Sequence, residues 1–454
     1  MRRTLLVKAI VTGILAMAVI VPLSAIVSMV HDRQALSAGV LEDVQRAGVG
    51  TQTLIGPILI VPYRRTLAIE VTDPKSGAKS TNTTEDEGRL YFLPETLTAD
   101  VRVSTEMRHR GIYSALLYNA HHTINGSFAL PERFGVAENP NATYAFSDPF
   151  LILGISDTRG IRGKPTVSWN GAALDWKGGT GGSTIDNGVH AAIGNCTPGK
   201  TATFAIDLAL QGTQTLAYVP VGKDTAVQMK SDWPHPSFDG QFLPETRAVS
   251  GQGFDATWRT THLASNVESA LRTQLGGKSG VQANTFGVQF IEPVNVYLQT
   301  ERAAKYGFLF VVLTFLVFQL FELLKGLAIH PVQYGLVGMG LAMFFLLLLA
   351  LTEHLPFALA YLLASAACIA LLGFYVSYVL RSVKRATGFT GLLTTLYAAL
   401  YVLLRSEDMA LLLGAALLFG ILAAIMVVTR RIDWYRVAVD PTDSGVPETG
   451  SSEA

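Results

Sequence analysis

The chain has 454 residues, with 35 basic against 35 acidic side chains, 15% charged and 49% hydrophobic residues. Balanced charge excludes the electrostatic footprint of a nucleic-acid binder, so no nucleic-acid partner is expected. The two cysteines, Cys196 and Cys368, lie in a soluble-looking stretch and in an apolar run, which excludes a disulfide framework.

A helix needs about 20 apolar residues to cross the hydrocarbon core of a bilayer. Six segments approach that length: Ala9 to Val30, Tyr306 to Leu323, Val332 to Thr352, Pro356 to Val379, Phe389 to Leu404 and Met409 to Val428. The first follows Arg2, Arg3 and Lys8. Its apolar run exceeds the roughly 7 to 15 residues of a cleavable signal core, so residues 1–30 read as a retained anchor. His31 to Gly48 continues the helical pattern beyond that span.

After Gly48 the texture becomes that of short strands and turns. LIGPILIVPY, Leu54 to Tyr63, is a β-branched run interrupted by Gly56, Pro57 and Pro62, which predicts an edge or bulged strand. TVSWNG, ATFAIDLAL and VYLQT read as further strands, separated by turns such as the Gly-rich WKGGTGGSTIDNG. Residues 31–305 are therefore expected to form a large, mainly antiparallel, sandwich-like β domain inserted between helices 1 and 2. The pentapeptide FLPET occurs at 92–96 and again at 242–246, which suggests two related β units. Dissimilar strand environments at the two copies would remove that idea.

Within this domain SDWPHPSFDGQFLPE, Ser231 to Glu245, is the most distinctive stretch. Asp232, Trp233 and His235 could form a polar centre in an aromatic pocket, with Asp239 as the other carboxylate candidate. The same residues could instead make a rigid connection, with prolines holding the backbone extended and aromatics filling the core. His121 and His122 are adjacent, so on a strand they point to opposite faces, poor geometry for one metal. GISDTRGIRG places Asp157 and Arg159 in a turn with a local ion pair. There is no HExxH, CxxC, phosphate-loop or GxSxG pattern, so no metal, cofactor or catalytic residue is expected.

The last third is expected to form a five-helix membrane domain, 306–430, followed by a cytoplasmic tail, 431–454, disordered at its end. Short loops with Lys325, Arg381, Lys384, Arg385, Arg430, Arg431 and Arg436 alternate with loops holding only Arg405, which predicts cytoplasmic termini and an exported domain. Glu322 and Lys325 can pair at the cytoplasmic boundary. Two polar turns fall on the outer side: Glu353 and His354 in ALTEHLPFAL, and Arg405, Glu407 and Asp408 in RSEDMALLLG. Both Glu353 and His354 are expected to reach interfacial water. No span has an ionisable residue near its centre, which argues against a proton-coupled transporter. Gly335, Gly338 and Gly340, and the repeat Ala416, Gly420, Ala424, are small enough for close helix contact.

RAAKYGFLFVVLTFLVFQLFE, HPVQYGLVGMGLAMFFLLLLALTEH, RSEDMALLLG, RRIDWY, SDWPHPSFDGQFLP and LIGPILIVPY together resemble the CreD family of inner-membrane, cell envelope integrity proteins, from about Leu54 to Tyr435. The resemblance implies a Gram-negative inner membrane, a large periplasmic domain and a part in an envelope stress response linked to a two-component system and antibiotic response. It implies no reaction and supplies no catalytic residue. Two readings follow. In the first, a non-enzymatic protein held in the lipid bilayer uses its periplasmic β domain to bind an envelope component. In the second, a membrane enzyme or lipid- or glycan-handling protein has a site at the periplasmic membrane boundary.

Overall fold

The computed structural model describes residues 2–72, 79–110, 113–183, 185–194, 196–265, 284–291, 296–325, 329–380, 382–406 and 409–430. The tail from residue 431, and with it RRIDWY, lies outside the described residues. Contacts divide the chain into a helical unit, Met1–Ser37 with Val294–Ala454, and a β unit, Ala38–Pro293.

Two mixed sheets build the β unit. The first contains β1 (Gln52–Thr72), β2 (Lys79–Phe92), β5 (Ala142–Phe146), β6 (Phe150–Ile155), β9 (Lys177–Gly178), β10 (Gly188–Ala192), β12 (Thr215–Val219), β14 (Pro236–Gly240) and β17 (Phe286–Phe290). The second contains β3 (Thr96–Arg110), β4 (Tyr113–Ala129), β7 (Ile161–Trp169), β8 (Ala172–Leu174), β11 (Thr201–Thr213), β13 (Asp224–Ser231), β15 (Thr246–Ser250) and β16 (Gly253–Thr261). Their spatial orders are β14-β17-β12-β1-β6-β10-β9, with β2 and β5 also on β1, and β15-β16-β13-β3-β4-β11-β7-β8. Two ladders, β1 with β12 and β3 with β13, are parallel; the rest are antiparallel. One hydrophobic core joins residues of both sheets, among them Leu59, Leu153 and Val288 of the first and Val101, Ile206 and Trp258 of the second. The alternating burial of β11, Thr201–Thr213, is what a strand with one face on that core requires.

LIGPILIVPY is bulged but is not an edge. Strand β1 pairs on both sides, and Ile58 through Val61 are all fully buried. The register shifts between Ile55 and Ile58, where Gly56 adopts φ +118. A run of four buried apolar residues belongs in a strand covered on both faces, so the prolines mark the bulge and not the rim. VYLQT is a second correction: it opens the helix Val296–Lys325. Its β-branched and aromatic composition is overridden by continuity with the apolar helical run that follows.

The two FLPET copies occupy equivalent crossovers. Each leads from a strand of the first sheet, β2 or β14, to one of the second, β3 or β15. In each the glutamate N–H donates to the carbonyl opposite the following threonine, Glu95 to Ser127 at 2.7 Å and Glu245 to Thr257 at 2.8 Å. The strands they open differ: β3 is interior with Leu97, Ala99, Val101 and Val103 buried, whereas β15 is an edge with every residue exposed.

Six long helices occur among the described residues, in chain order: α1 (Arg2–Ala47), α2 (Val296–Lys325), α3 (Pro331–Thr352), α4 (Phe357–Val379), α5 (Val383–Arg405) and α6 (Ala410–Thr429). Among the described residues, four stretches are long and apolar enough to cross a membrane: Ile10–Val40, Pro331–Thr352, Phe357–Val379 and Val383–Arg405. The centre of the helical unit is α3, whose Val337, Leu341, Phe344, Phe345 and Leu348 are fully buried. Glycines bring its neighbours close. A Cβ on Gly338 would lie 2.8 Å from both Phe315 of α2 and Val19 of α1, and one on Gly340 would lie 2.8 Å from Leu372 of α4. Gly420 of α6 has nothing within 4 Å of the same position.

Candidate functional site

In the helical unit, an ion-pair cluster gathers around Glu301 and Glu353. Three chain segments meet there: His31, Arg33 and Gln34 of α1, Glu301 and Lys305 of α2, and the turn after α3. Glu301 accepts from Lys305 at 2.6 Å and from Gln34 at 3.2 Å, and lies 3.3 Å from His31. Lys305 above all, then Gln34 and His31, holds the Glu301 carboxyl well below the usual carboxylate range. Glu353 follows α3 directly, and its carboxylate lies 3.2 Å from the Arg33 guanidinium with the Glu353 side chain only 14% exposed. Expected to face water, Glu353 is instead tied to α1; the helix that carries Arg33 passes close enough to replace solvent as its partner. His354 is exposed. Pro356 precedes α4, where its missing N–H costs nothing. Arg405 is the last residue of α5 and is exposed. Glu407 and Asp408 lie outside the described residues, as do the side chains of Glu322 and Lys325.

In the β unit, SDWPHP closes one end of the sandwich. Parallel pairing of β13 with β3 stops at Ser231 opposite Val103. The Asp232 carboxylate then takes over, accepting from the Thr105 N–H at 3.0 Å and the Thr105 hydroxyl at 2.9 Å. Trp233 donates its indole N–H to the Ile291 carbonyl at 3.0 Å, and the His235 carbonyl accepts from the Ile291 N–H at 3.3 Å. The exposed His235 ring meets Trp233 edge-on, 6.2 Å between centroids. Asp239 turns to the N–H of Gly240 at 2.7 Å. Asp232, His235 and Asp239 therefore do not converge on one polar centre. The carboxylates end strands, and Trp233 ties the segment to the strand leading out of the sandwich.

The same end holds the joint where α1 enters the β unit. Asp157 accepts from Gly50 N–H at 3.0 Å and from the Arg159 guanidinium at 2.7 Å, and Arg159, the main cause, holds its carboxyl below the usual range. Arg159 also donates to the Arg46 carbonyl at 2.7 Å, covering a helix C-terminus whose carbonyls would otherwise lack partners. The ion pair read from GISDTRGIRG is thus a splice between helix and sheet. Gln52, fully buried, completes it by donating to the carbonyls of Asp157 and Gln211 at 2.9 and 3.0 Å. Nothing in sequence marked Gln52 beyond a polar residue opening a strand.

His121 and His122 do point to opposite faces of β4. His121 pairs with Asp207 at 3.2 Å on the surface. His122 is fully buried, its Nδ1 bonded to the Tyr218 hydroxyl and its Nε2 without a hydrogen-bond partner. Burial, aided by the neighbouring His121, pulls its pKa down to about 3. No group of three or more metal-ligating side chains occurs among the described residues.

Membrane-length helices, a sandwich and an absence of assembled catalytic groups among the described residues set the context for the comparisons. The family model described as "Inner membrane protein CreD" matches residues 4–435. The inner membrane protein CreD of Escherichia coli (strain K12) is 34% identical over 420 residues, which cover 92% of this chain and 90% of that protein. The chain belongs to the CreD family of inner membrane proteins. Solved structures resemble it only loosely. An M1 zinc metallopeptidase of Deinococcus radiodurans bound to a Tyr-Ser-Ala substrate shares 9% identity at a TM-score of 0.21, covering 47% of this chain and 53% of that one. A two-domain M1 zinc metallopeptidase bound to L-tryptophan shares 11% identity at a TM-score of 0.18, covering 37% of this chain and 40% of that one. At these scores neither likeness carries an argument about fold or chemistry. In this CreD family member, LIGPILIVPY is thus the doubly buried centre of β1, and SDWPHPSFDGQFLP contains the closure at Asp232 and Trp233 and leads into the second FLPET crossover.

Proposed function

We propose that this CreD-family protein is a six-span inner-membrane protein with both termini in the cytoplasm, and that its β domain, inserted between the first two spans, faces the periplasm. There it acts as a binding module for an envelope component and so contributes to envelope integrity under stress. Alternation of basic and nearly base-free short loops supports the orientation. Helix α2, with Phe310, Val311, Phe315 and Phe318 in the bundle core, and α6 supply the fifth and sixth spans beside the four long apolar stretches.

One observation carries the binding reading. The edge strand β15 pairs on one side only, all its residues are exposed, and the FLPET crossover before it presents Leu243 at 69% and β15 itself Val249 at 51% exposure. An unpaired strand edge with apolar side chains beside it suits a second polypeptide that adds as a strand. A photoreactive amino acid in place of Leu243 or Val249 in living cells is expected to yield one discrete protein adduct, with none from the buried control Ala256. Adducts to lipid alone, or none, would remove the reading. Cysteine labelling in spheroplasts checks the orientation: Glu353→Cys should react from outside and Lys384→Cys should not, and the reverse pattern would invert the topology.

A further inference from the structure

The α4–α5 pair carries a feature that the binding reading does not use. A groove of about 860 Å³ runs between the two helices. On α4 it extends from Ala358 to Phe374, about 25 Å of helix at 1.5 Å per residue, against a hydrocarbon core of about 30 Å. Its lining includes Ser365, Ala366, Ala370, Gly373 and Thr390, with Tyr401 toward the end where α5 finishes. The helices are closest at the other end, where a Cβ on Gly373 would lie 2.8 Å from the Thr390 hydroxyl. Toward the first end, Tyr361 donates its hydroxyl hydrogen to the Tyr397 carbonyl at 2.7 Å. Two of the groove hydroxyls are occupied within their own helices, Ser365 on Leu362 O at 3.0 Å and Thr394 on Thr390 O at 2.8 Å, whereas the buried Tyr397 hydroxyl has no partner among the described residues. An occupant therefore meets a channel lined mainly by apolar side chains.

Arg405 supplies the second observation. Thr394, Ala398 and Tyr401 line the groove at helical spacing, and Arg405 is one further turn along the same face of α5. It is exposed and makes no ion pair or hydrogen bond with any described residue. A long apolar channel that leads toward a guanidinium with no partner among the described residues matches an amphiphile with an apolar tail and an anionic head. Arginine is suited to phosphate because its fork of donors can bind two oxygens at once.

We propose that the α4–α5 groove binds an anionic phospholipid, its acyl chain along the small-residue channel and its phosphate on Arg405. The site lies wholly within the helical unit and does not depend on what the β domain binds.

The full-length protein, purified in mild detergent and stripped of lipid, is titrated with phosphatidylglycerol or phosphatidylcholine while bound lipids are counted by native mass spectrometry. One phosphatidylglycerol is expected per chain, retained at least ten-fold more tightly than phosphatidylcholine. Arg405→Gln should abolish the preference and Arg405→Lys keep most of it. Ala366→Phe, at an exposed position in the channel, should lower retention of both lipids. Equal retention of the two lipids by the unaltered protein would overturn the proposal without any variant. So would a preference that survives Arg405→Gln, or lipid-independent crosslinking of two copies through Ala366→Cys with no phosphatidylglycerol retained, which would make the groove a helix interface.

Discussion

Buried polar groups are handled differently in the two units. In the sandwich, Gln52 bonds Gln211, His122 bonds Tyr218 and Thr213 bonds Val49, partners 159, 96 and 164 residues apart in sequence. In the helical unit, Thr314 bonds Phe310, Thr352 bonds Leu349 and Ser365 bonds Leu362, partners three or four residues away. A donor in hydrocarbon has no water to fall back on, so its surest partner travels on the same helix. In a domain that folds from water, a long-range polar bond can fix which segments meet, because a mispaired alternative leaves the group buried and unsatisfied. The sandwich uses polarity to choose its pairing; the bundle relies on close contacts at glycines such as Gly338.

If that contrast holds, the largest effect should come from His122. Its folded pKa of about 3 lies below the unfolded value near 6.5, so between these limits the unfolded chain binds more protons and stability is lost as the pH falls. The contribution is complete above pH 6.5. At pH 4.5 it should be smaller by roughly 3 kcal/mol, at about 1.4 kcal/mol per pH unit. Tryptophan fluorescence can follow this in denaturant, since Trp169, Trp176, Trp233 and Trp258 all lie in the sandwich. His122→Phe should flatten the profile between pH 6.5 and 4.5. A slope unchanged in that variant would mean that another group carries the acid sensitivity.

Next comes Gln52. Replacement by Leu keeps the bulk but strips two buried carbonyls of a donor, a loss of about 2 kcal/mol. The same fluorescence transition should shift to lower denaturant with its slope preserved. An unshifted midpoint would show that the splice between α1 and β1 stands without it.

How far such residues can be read in advance follows from the same contrast. The positions of the long helices, including the first and its continuation to Ala47, were legible, because helical structure is written in local periodicity. The Asp157–Arg159 pair was legible for the same reason, being two residues apart. That β1 is central was not, because its burial on both faces depends on β12 and β6, about 100 to 160 residues away. Nor was the role of Asp232, whose partner Thr105 is 127 residues distant. The ion-pair cluster of the bundle was half visible: Glu353 stood out between two apolar runs, while Arg33 was concealed in a helix that already looked soluble. HDRQ at 31–34, directly after the first apolar run, and the i,i+4 pair Glu301 and Lys305 were the available signals.

The Arg33–Glu353 pair is one of the long-range polar contacts of the bundle, with Gln34–Glu301 and Tyr361–Tyr397, and joins segments 320 residues apart. Lying at the end of the unit with Arg33 still 40% exposed, it should be worth about 1 kcal/mol or less. Arg33→Gln and Glu353→Gln should each lower the melting temperature of the detergent-solubilised protein slightly, and the double variant no further than the more affected single. Additive losses would show that the two side chains act through separate partners.

The smallest effect belongs to the local bonds. In Thr314→Val the side chain keeps its shape and loses a hydroxyl whose hydrogen bond was to Phe310 O, one turn back on α2. Donor and acceptor leave the comparison together, because the Phe310 carbonyl retains its place in the helix, so the change should stay within about 0.5 kcal/mol. Thr213→Val in the sandwich is the matched substitution: also fully buried, it loses a bond to Val49 O across 164 residues and should cost about 1 kcal/mol or more. The two threonines differ in neither burial nor chemistry, only in the distance along the chain to their partner. Equal losses at both would mean that range in sequence has no bearing on what a buried hydroxyl contributes. A larger loss at Thr314 would reverse the contrast between the units.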